Sequence, residues 1–376
     1  MKLIRLSKSC LGEEEKNAVM GVLDREYLGI GAEVSTFEGL LTDYFKREST
    51  CVVNGTGAIQ LAVQACGIGA GDEVLIPSLT YVASFQAISA TGAKPVPCDI
   101  DPQTLMIDVD DAQKRITKRT KAIVPVHYTG GVGDLDNVYK FATTNGLRVI
   151  EDAAHAFGTV YKGKRIGSFG DIVCFSFDGI KNITSGEGGC IVTADNVVSE
   201  RIKDLRLLGV EKDTEKRYSG KRSWDFDVQM QGWRYHMSNV MAAIGIEQLK
   251  KFPLMADKRK RLAMQYDKLL SNHLGIQILP RNYYEVVPHI YVVRIAGLNV
   301  ERRMLLQDTL SEQGIQTGIH YKPNHELTFY KDDTALPFPI TTLIYPELLT
   351  LPLHPDLSVE DVEFVCKMLK RTVDER

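Results

Sequence analysis

The sequence is short of the features that mark several classes of protein. Its seven cysteines are odd in number and scattered, with no CxxC pair. That argues against a disulfide framework or a cysteine-based zinc site, and favours reduced core thiols in a cytoplasmic protein. No apolar run approaches the roughly eighteen residues of a membrane-spanning helix. The opening, MKLIRLSKSC, is too short and too quickly charged for a secretory leader. A formal net charge of −3 gives no polycationic signature, so neither nucleic acid nor an anionic membrane is an expected partner. Low-complexity tracts, internal repeats and metal-ligand clusters are also missing.

The 376 residues, 44% apolar and 25% charged, are enough to build more than one core. EEEKNAVMGVLD predicts a helix within 12–25, YLGIG at 27–31 a turn, and TFEGLLTDYF a second helix. From residue 50 the rhythm changes. Short β-branched runs recur as CVV, EVLIP, KPVPCDI, AIVPVH, RVIEDAA, IVCFSFD and CIVTAD, each followed by small residues and a helical pattern. This alternation predicts an α/β fold with a mostly parallel sheet covered on both faces. Residues 211–232 are polar and charged, an expected exposed excursion. SNVMAAIGIEQLKKF and ADKRKRLAMQYDKLLSNH predict two long amphipathic helices. The remainder, with YVVRIAG and scattered prolines, predicts a smaller α/β domain. We expect a large domain over 1–250 and a small one over 251–376.

Chemistry gathers in three places. Asn54-Gly55-Thr56-Gly57-Ala58 follows a strand and opens a helical run, where unpaired amides suit a phosphate. The third glycine of a dinucleotide fingerprint is absent, with Gln60 in its place, and so is the Lys-Ser/Thr of a P-loop. Either a phosphate or a plain turn capped by Thr56 fits. Asp152, in EDAAHA, ends an apolar strand where parallel sheets open toward ligands, and if buried it needs a cation. It could otherwise cap a helix. Lys181 follows FSFDGI and precedes Gly186-Glu187-Gly188-Gly189; in an apolar pocket its amine would lose a proton more readily, as a nucleophile requires. A lone loop lysine would more often be solvated.

Four stretches together, NGTGAIQLAVQACGIGAGDEVLIPSLTYVA, EDAAHAFG, FSFDGIKNITSGEGG and GWRYHMSNVMAAIGIEQL, resemble the DegT/DnrJ/EryC/StrS family. This is the sugar-aminotransferase branch of the fold-type I pyridoxal-phosphate (PLP) enzymes. The resemblance runs from LGEEEKNAVMGVL to LPLHPDLSVEDVEFV. It implies a seven-stranded, aspartate-aminotransferase-like large domain. Lys181 would be the catalytic residue, joined to the coenzyme aldehyde, with Asp152 on the pyridine nitrogen. His155, where relatives often have glutamine, would bond the ring's phenolic oxygen, or else be a core histidine. Tyr81 would stack on the ring or merely fill core. Thr56, the backbone at Gly57 and Ser176 would hold the phosphate.

Many relatives read G-x-N-x-R-M where this chain has Gly232-Trp233-Arg234-Tyr235-His236-Met237. There the segment reaches the coenzyme phosphate of a dimer partner, so the resemblance implies a homodimer with Arg234 completing the neighbour's site. A solvated arginine is the alternative, and His236 receives no role. His320 and Tyr321 resemble a small-domain motif that closes over substrate, although a structural histidine fits as well. The implied reaction moves an amino group from L-glutamate, releasing 2-oxoglutarate, to C4 of a nucleotide-linked 4-keto-6-deoxyhexose. The dTDP-glucose series comes first, with products used in glycosides or in surface polysaccharides such as lipopolysaccharide O-antigen. Alternatives are C3 amination, a GDP- or UDP-linked sugar, an amino-acid-metabolising fold-type I enzyme, and a non-catalytic homologue. Sugar dehydratases of the family carry histidine in the place of Lys181.

Overall fold

A computed structural model of the chain describes residues 2–221 and 224–375. The seven expected runs form one sheet. Its strands are β1 (Ser49–Val52), β2 (Glu73–Pro77), β3 (Lys94–Cys98), β4 (Thr120–Ile123), β5 (Arg148–Asp152), β6 (Ile172–Ser176) and β7 (Gly189–Thr193). Their spatial order is β1-β7-β6-β5-β4-β2-β3. Strand β7 is antiparallel to both its neighbours, and the other pairings are parallel. The sheet is therefore mostly parallel, with one reversed strand.

Both faces are covered, so β1, β2, β6 and β7 are buried along their whole lengths. Along β6, Val173 and Phe175 enter a core with Phe37, Phe45, Phe157 and Phe177, while Ile172 and Cys174 enter another with Leu61, Val74 and Phe85. Successive strand residues point to opposite faces, so one strand feeds two cores. Pro95 and Pro97 cannot donate ladder bonds, which suits β3 to the sheet edge it occupies. At Gly158 (φ +88°) a Cβ would lie 2.1 Å from the Phe252 ring, so only glycine admits that packing.

The smaller sheet is antiparallel, in the order β8 (Ile276–Ile278), β9 (Tyr291–Ile295), β10 (Leu348–Leu351). The helices Val300–Glu312 and Val359–Asp374 bury Leu306, Leu310, Val362, Val365 and Leu369 against it. Ile4 joins the same core and bridges to Ile315.

Instead of the two long helices expected around Pro253, one helix runs from Asn239 to Leu270. Proline removes one backbone donor. Packing carries the helix across that gap, because Phe252, Met255 and Ala256 on either side of Pro253 lie in the large-domain core. Beyond them Leu262, Ala263, Tyr266 and Leu270 belong to the small one. The helix thus spans the boundary expected near 250.

The excursion at 211–232 is only partly exposed, and its residues 222–223 lie outside those described. Asp213–Tyr218 is helical, and the Tyr218 hydroxyl joins the buried Arg206–Glu38 ion pair. Residues 224–231 are exposed. No helix among the described residues is long and apolar enough to cross a membrane.

Candidate active site

The C-terminal ends of the parallel strands open onto a cavity of about 530 Å³, within the range of small-molecule sites. Each strand delivers its residues on the turn that follows it. After β1, the Asn54 side chain caps the helix Gly55–Ala65 by accepting from the Gly57 amide at 2.8 Å. The cap is therefore Asn54, the residue with the right oxygen at the right step, and not Thr56. Gly55 and Thr56 line the cavity, whereas Gly57 does not. A Cβ on Gly57 would stand 3.2 Å from the Tyr235 ring, so this glycine serves packing. Gly55 backs onto Ser176, where a Cβ would come within 2.7 Å of the serine Cβ.

After β2, Tyr81 immediately precedes the helix Val82–Ser89 and is 58% exposed, which rules out core filling in the single chain. One turn on, Ser84 donates to Asp152 Oδ2 at 2.6 Å. Asp152 ends β5, is buried, and accepts from the Ala154 amide at 3.1 Å through its other oxygen. No helix starts there, so Asp152 is not a cap. After β6 the chain turns at Asp178, whose carbonyl accepts from the Lys181 amide. Burial pulls the Lys181 amine down from 10.5 to about 8, against the opposing pull of Asp152 and Asp178.

His155 is buried, with Nε2 3.1 Å from the Tyr321 hydroxyl and Nδ1 without a partner. Burial, with Lys181 and His320, holds this imidazole well below its usual range, so it is neutral at pH 7. The ring of His289 packs 4.4 Å away. Tyr321 lies 5.4 Å from the Tyr81 ring, centroid to centroid. His320 Nδ1 is 2.7 Å from Thr350 Oγ1, and its carbonyl accepts from the Tyr128 hydroxyl. Burial and then Lys181 bring the His320 imidazole down to about 4.

The cavity thus brings together Thr56, Tyr81, Asp152, His155, Ser176, Lys181, His320 and Tyr321. It does not include Arg234. Residues 233–236 run extended between β1 and the stretch after Ile202, with Val53 donating to the Tyr235 carbonyl and Tyr235 to that of Arg206. Trp233 and Tyr235 stack on each other and bond Gln64 and Gln60 of the helix Gly55–Ala65. Alternation turns Arg234 the other way, where it is exposed. His236 is half-buried and brought to about 4 by burial and by Arg234.

Ser84, Asp178, Glu187 and His289 were not singled out from sequence. Ser84 had a signal, lying three residues after Tyr81 and so on the same helical face. His289 had none, since only folding brings residue 289 to residue 155.

A family model described as the DegT/DnrJ/EryC1/StrS aminotransferase family matches residues 9–370. The chain belongs to this family. It is 37% identical to the Methanocaldococcus jannaschii protein MJ1066 over 98% of this chain and 97% of that one. Among solved structures, Spr1654 of Streptococcus pneumoniae, named as a sugar aminotransferase and solved in its PMP form, superposes with a TM-score of 0.92. Its identity is 29%, over 100% of this chain and 98% of that one. DesI, solved in the presence of its TDP-sugar product, gives 0.88 at 28% identity, covering 99% and 93%.

The chain is a PLP-dependent sugar aminotransferase of the fold-type I class. Its residues fit the coenzyme on their own evidence. An amine already drawn toward its neutral form faces the same cavity as a buried carboxylate, a neutral imidazole with an orphan nitrogen, and the Gly55–Ser176 cradle that a Cβ would fill.

Proposed function

We propose that this enzyme transfers the amino group of L-glutamate to C4 of a nucleotide-linked 4-keto-6-deoxyhexose, with the dTDP-glucose series as first candidate. The observation that carries the amino-transfer chemistry is the Lys181 amine at about 8 in one cavity with Asp152 and His155. The TDP-sugar product named for DesI favours the dTDP series over GDP- or UDP-linked sugars and favours no ring position.

In this reading the coenzyme supplies an electron sink that stabilises negative charge on the carbon losing its proton. Lys181 Nζ would anchor it and, as a free amine, would move protons: from the donor's α-carbon in the first half-reaction and onto C4 of the sugar in the second. Asp152, fixed by Ser84 and the Ala154 amide, keeps a negative charge facing the pyridine nitrogen. His155 bonds the phenolic oxygen, oriented by Tyr321. Thr56 and Ser176 would hold the phosphate, Tyr81 would stack on the ring, and His320 and Tyr321 would meet the substrate.

The same proposal includes a homodimer. Lys181 is the one lysine or arginine among the described residues that line the cavity, beside Asp152, Asp178 and Glu187. A coenzyme phosphate and a nucleotide diphosphate need more positive charge than that. Arg234 is turned outward, and the alternate residues leading to it, Trp224, Phe226, Val228 and Met230, are all exposed. A second copy covering that face would receive the guanidinium at its own site. The experiment is to supply glutamate with dTDP-, UDP- and GDP-linked 3-keto and 4-keto sugars and follow 2-oxoglutarate. Release with a dTDP-linked 4-keto sugar is expected; release only with 3-keto sugars, or with none, overturns the assignment.

A further inference from the structure

The turn after Ser185 reads Gly186-Glu187-Gly188-Gly189, so Glu187 carries its only side chain beyond hydrogen. Its base is pinned: Phe177 donates to the Gly188 carbonyl and Ser185 to that of Phe177. Packing closes the C-terminal flank. A Cβ on Gly188 would stand 3.0 Å from Met237 Cε, and one on Gly189 2.5 Å from the Asn54 carbonyl oxygen. A rigid, side-chain-poor turn therefore holds one carboxylate at the rim of the Lys181 cavity.

Glu187 has no hydrogen-bond or ion-pair partner among the described residues, and it is exposed. Partial burial and then Asp178 raise its carboxyl above the ordinary 4.5, with no cation opposing them. Asp178 acts on Lys181 as well, and all three groups line the same cavity.

A carboxylate only accepts hydrogen bonds, so its ligand must donate. The coenzyme phosphate and the nucleotide diphosphate are anionic acceptors. The two carboxylates of glutamate would be repelled, and its amine is consumed at the reacting centre. The donors that remain are the hydroxyls of the hexose and the ring N–H and hydroxyl of the nucleoside, and it is the hexose that must enter the cavity that Glu187 shares with Lys181. We infer that Glu187 is a specificity-determining residue, accepting a hydrogen bond from a ring hydroxyl of the sugar; this rests on the nucleotide-sugar reading above.

The test is calorimetric titration of the holoenzyme, without amino donor, using dTDP-, UDP- and GDP-linked 4-keto-6-deoxyhexoses and the three free nucleoside diphosphates. Glu187→Gln keeps a neutral acceptor and should weaken the nucleotide sugar relative to its nucleoside diphosphate by roughly five- to tenfold. Glu187→Ala should weaken it by roughly ten- to a hundredfold. Bound coenzyme, read from visible absorbance, checks that each variant is folded. Equal relative affinities in wild type and variants overturn the role of Glu187 while the substrate reading stands. So does an equal loss for the nucleoside diphosphate alone. If the wild type binds none of the nucleotide sugars, the substrate reading fails and takes this role with it.

Discussion

The Tyr321 hydroxyl lies 3.1 Å from Nε2 of His155, on the turn after β5 and 166 residues earlier in the chain. Burial acts on the two groups in opposite senses, raising the phenol far above 10 and lowering the imidazole far below 6.5. Both are neutral across the working pH range, so the contact joins two distant stretches of chain without charge. Tyr321→Phe leaves a buried nitrogen unpaired, at a cost of about 1–3 kcal/mol. The apoprotein should melt earlier. In a double-mutant cycle with His155→Phe, the two losses should fall short of additivity by about 0.5–3 kcal/mol. Strict additivity would show that the two side chains do not interact.

Lys181 sets a pH dependence whose sign follows from its lowered value. Below about 8 the amine is mainly protonated, and above it mainly free. Capture of added coenzyme by the apoenzyme should therefore rise about tenfold per pH unit below the midpoint and level off above it. A rise continuing to the ordinary lysine range would contradict the buried amine. Borohydride should fix the coenzyme on the peptide containing Lys181, and Lys181→Ala should bind coenzyme yet show no amino transfer.

Asp152→Asn keeps the size of the side chain and removes its charge. The variant should fold and hold coenzyme but lose most of its turnover, because the ring becomes a poorer electron sink. Ser84→Ala removes one hydrogen bond to that carboxylate, worth about 1.5–3 kcal/mol when an ion is involved, and should give a smaller loss in kcat. Near-normal turnover in Asp152→Asn would remove the aspartate from the mechanism.

For the shared site, Lys181→Ala and Arg234→Ala chains can be mixed. If each is inactive alone, a mixed dimer should regain one site that has both residues, supplied by different chains. No recovery after verified subunit exchange, or full activity in a proven monomer, would sink the model.

The seven strands were legible because β-branched runs bounded by small residues are a local signal. The reversal of β7 was not: CIVTAD is a β-branched run bounded by small residues like those of the parallel strands, and residue periodicity carries no direction. The single helix through Pro253 was hidden for the opposite reason. Local propensity argues for a break, and only packing from two cores overrides it. Asp152, His155 and Lys181 could be nominated from their motifs. Asn54 as the cap is legible too, since an asparagine immediately before the first helical residue has its side-chain oxygen in reach of the Gly57 amide. His289 needed the fold, since 134 residues of sequence separate it from the ring that it touches.

The small core draws on Ile4 as well as on residues beyond 260, and Leu353 donates to the Leu6 carbonyl beside it. A chimera that exchanged only 251–376 with a relative would therefore inherit a mismatched strip at 4–6 and a splice in mid-helix. Exchange should work better when residues 2–8 travel with the small domain and the junction falls ahead of Ser238, where the cap of the long helix begins. Recombination between relatives is thus constrained to carry two distant stretches of sequence together. Sequence variation at residue 4 should be matched by variation around Ile315 and Leu310 more closely than by variation in the helix Glu13–Asp24 next to it along the chain.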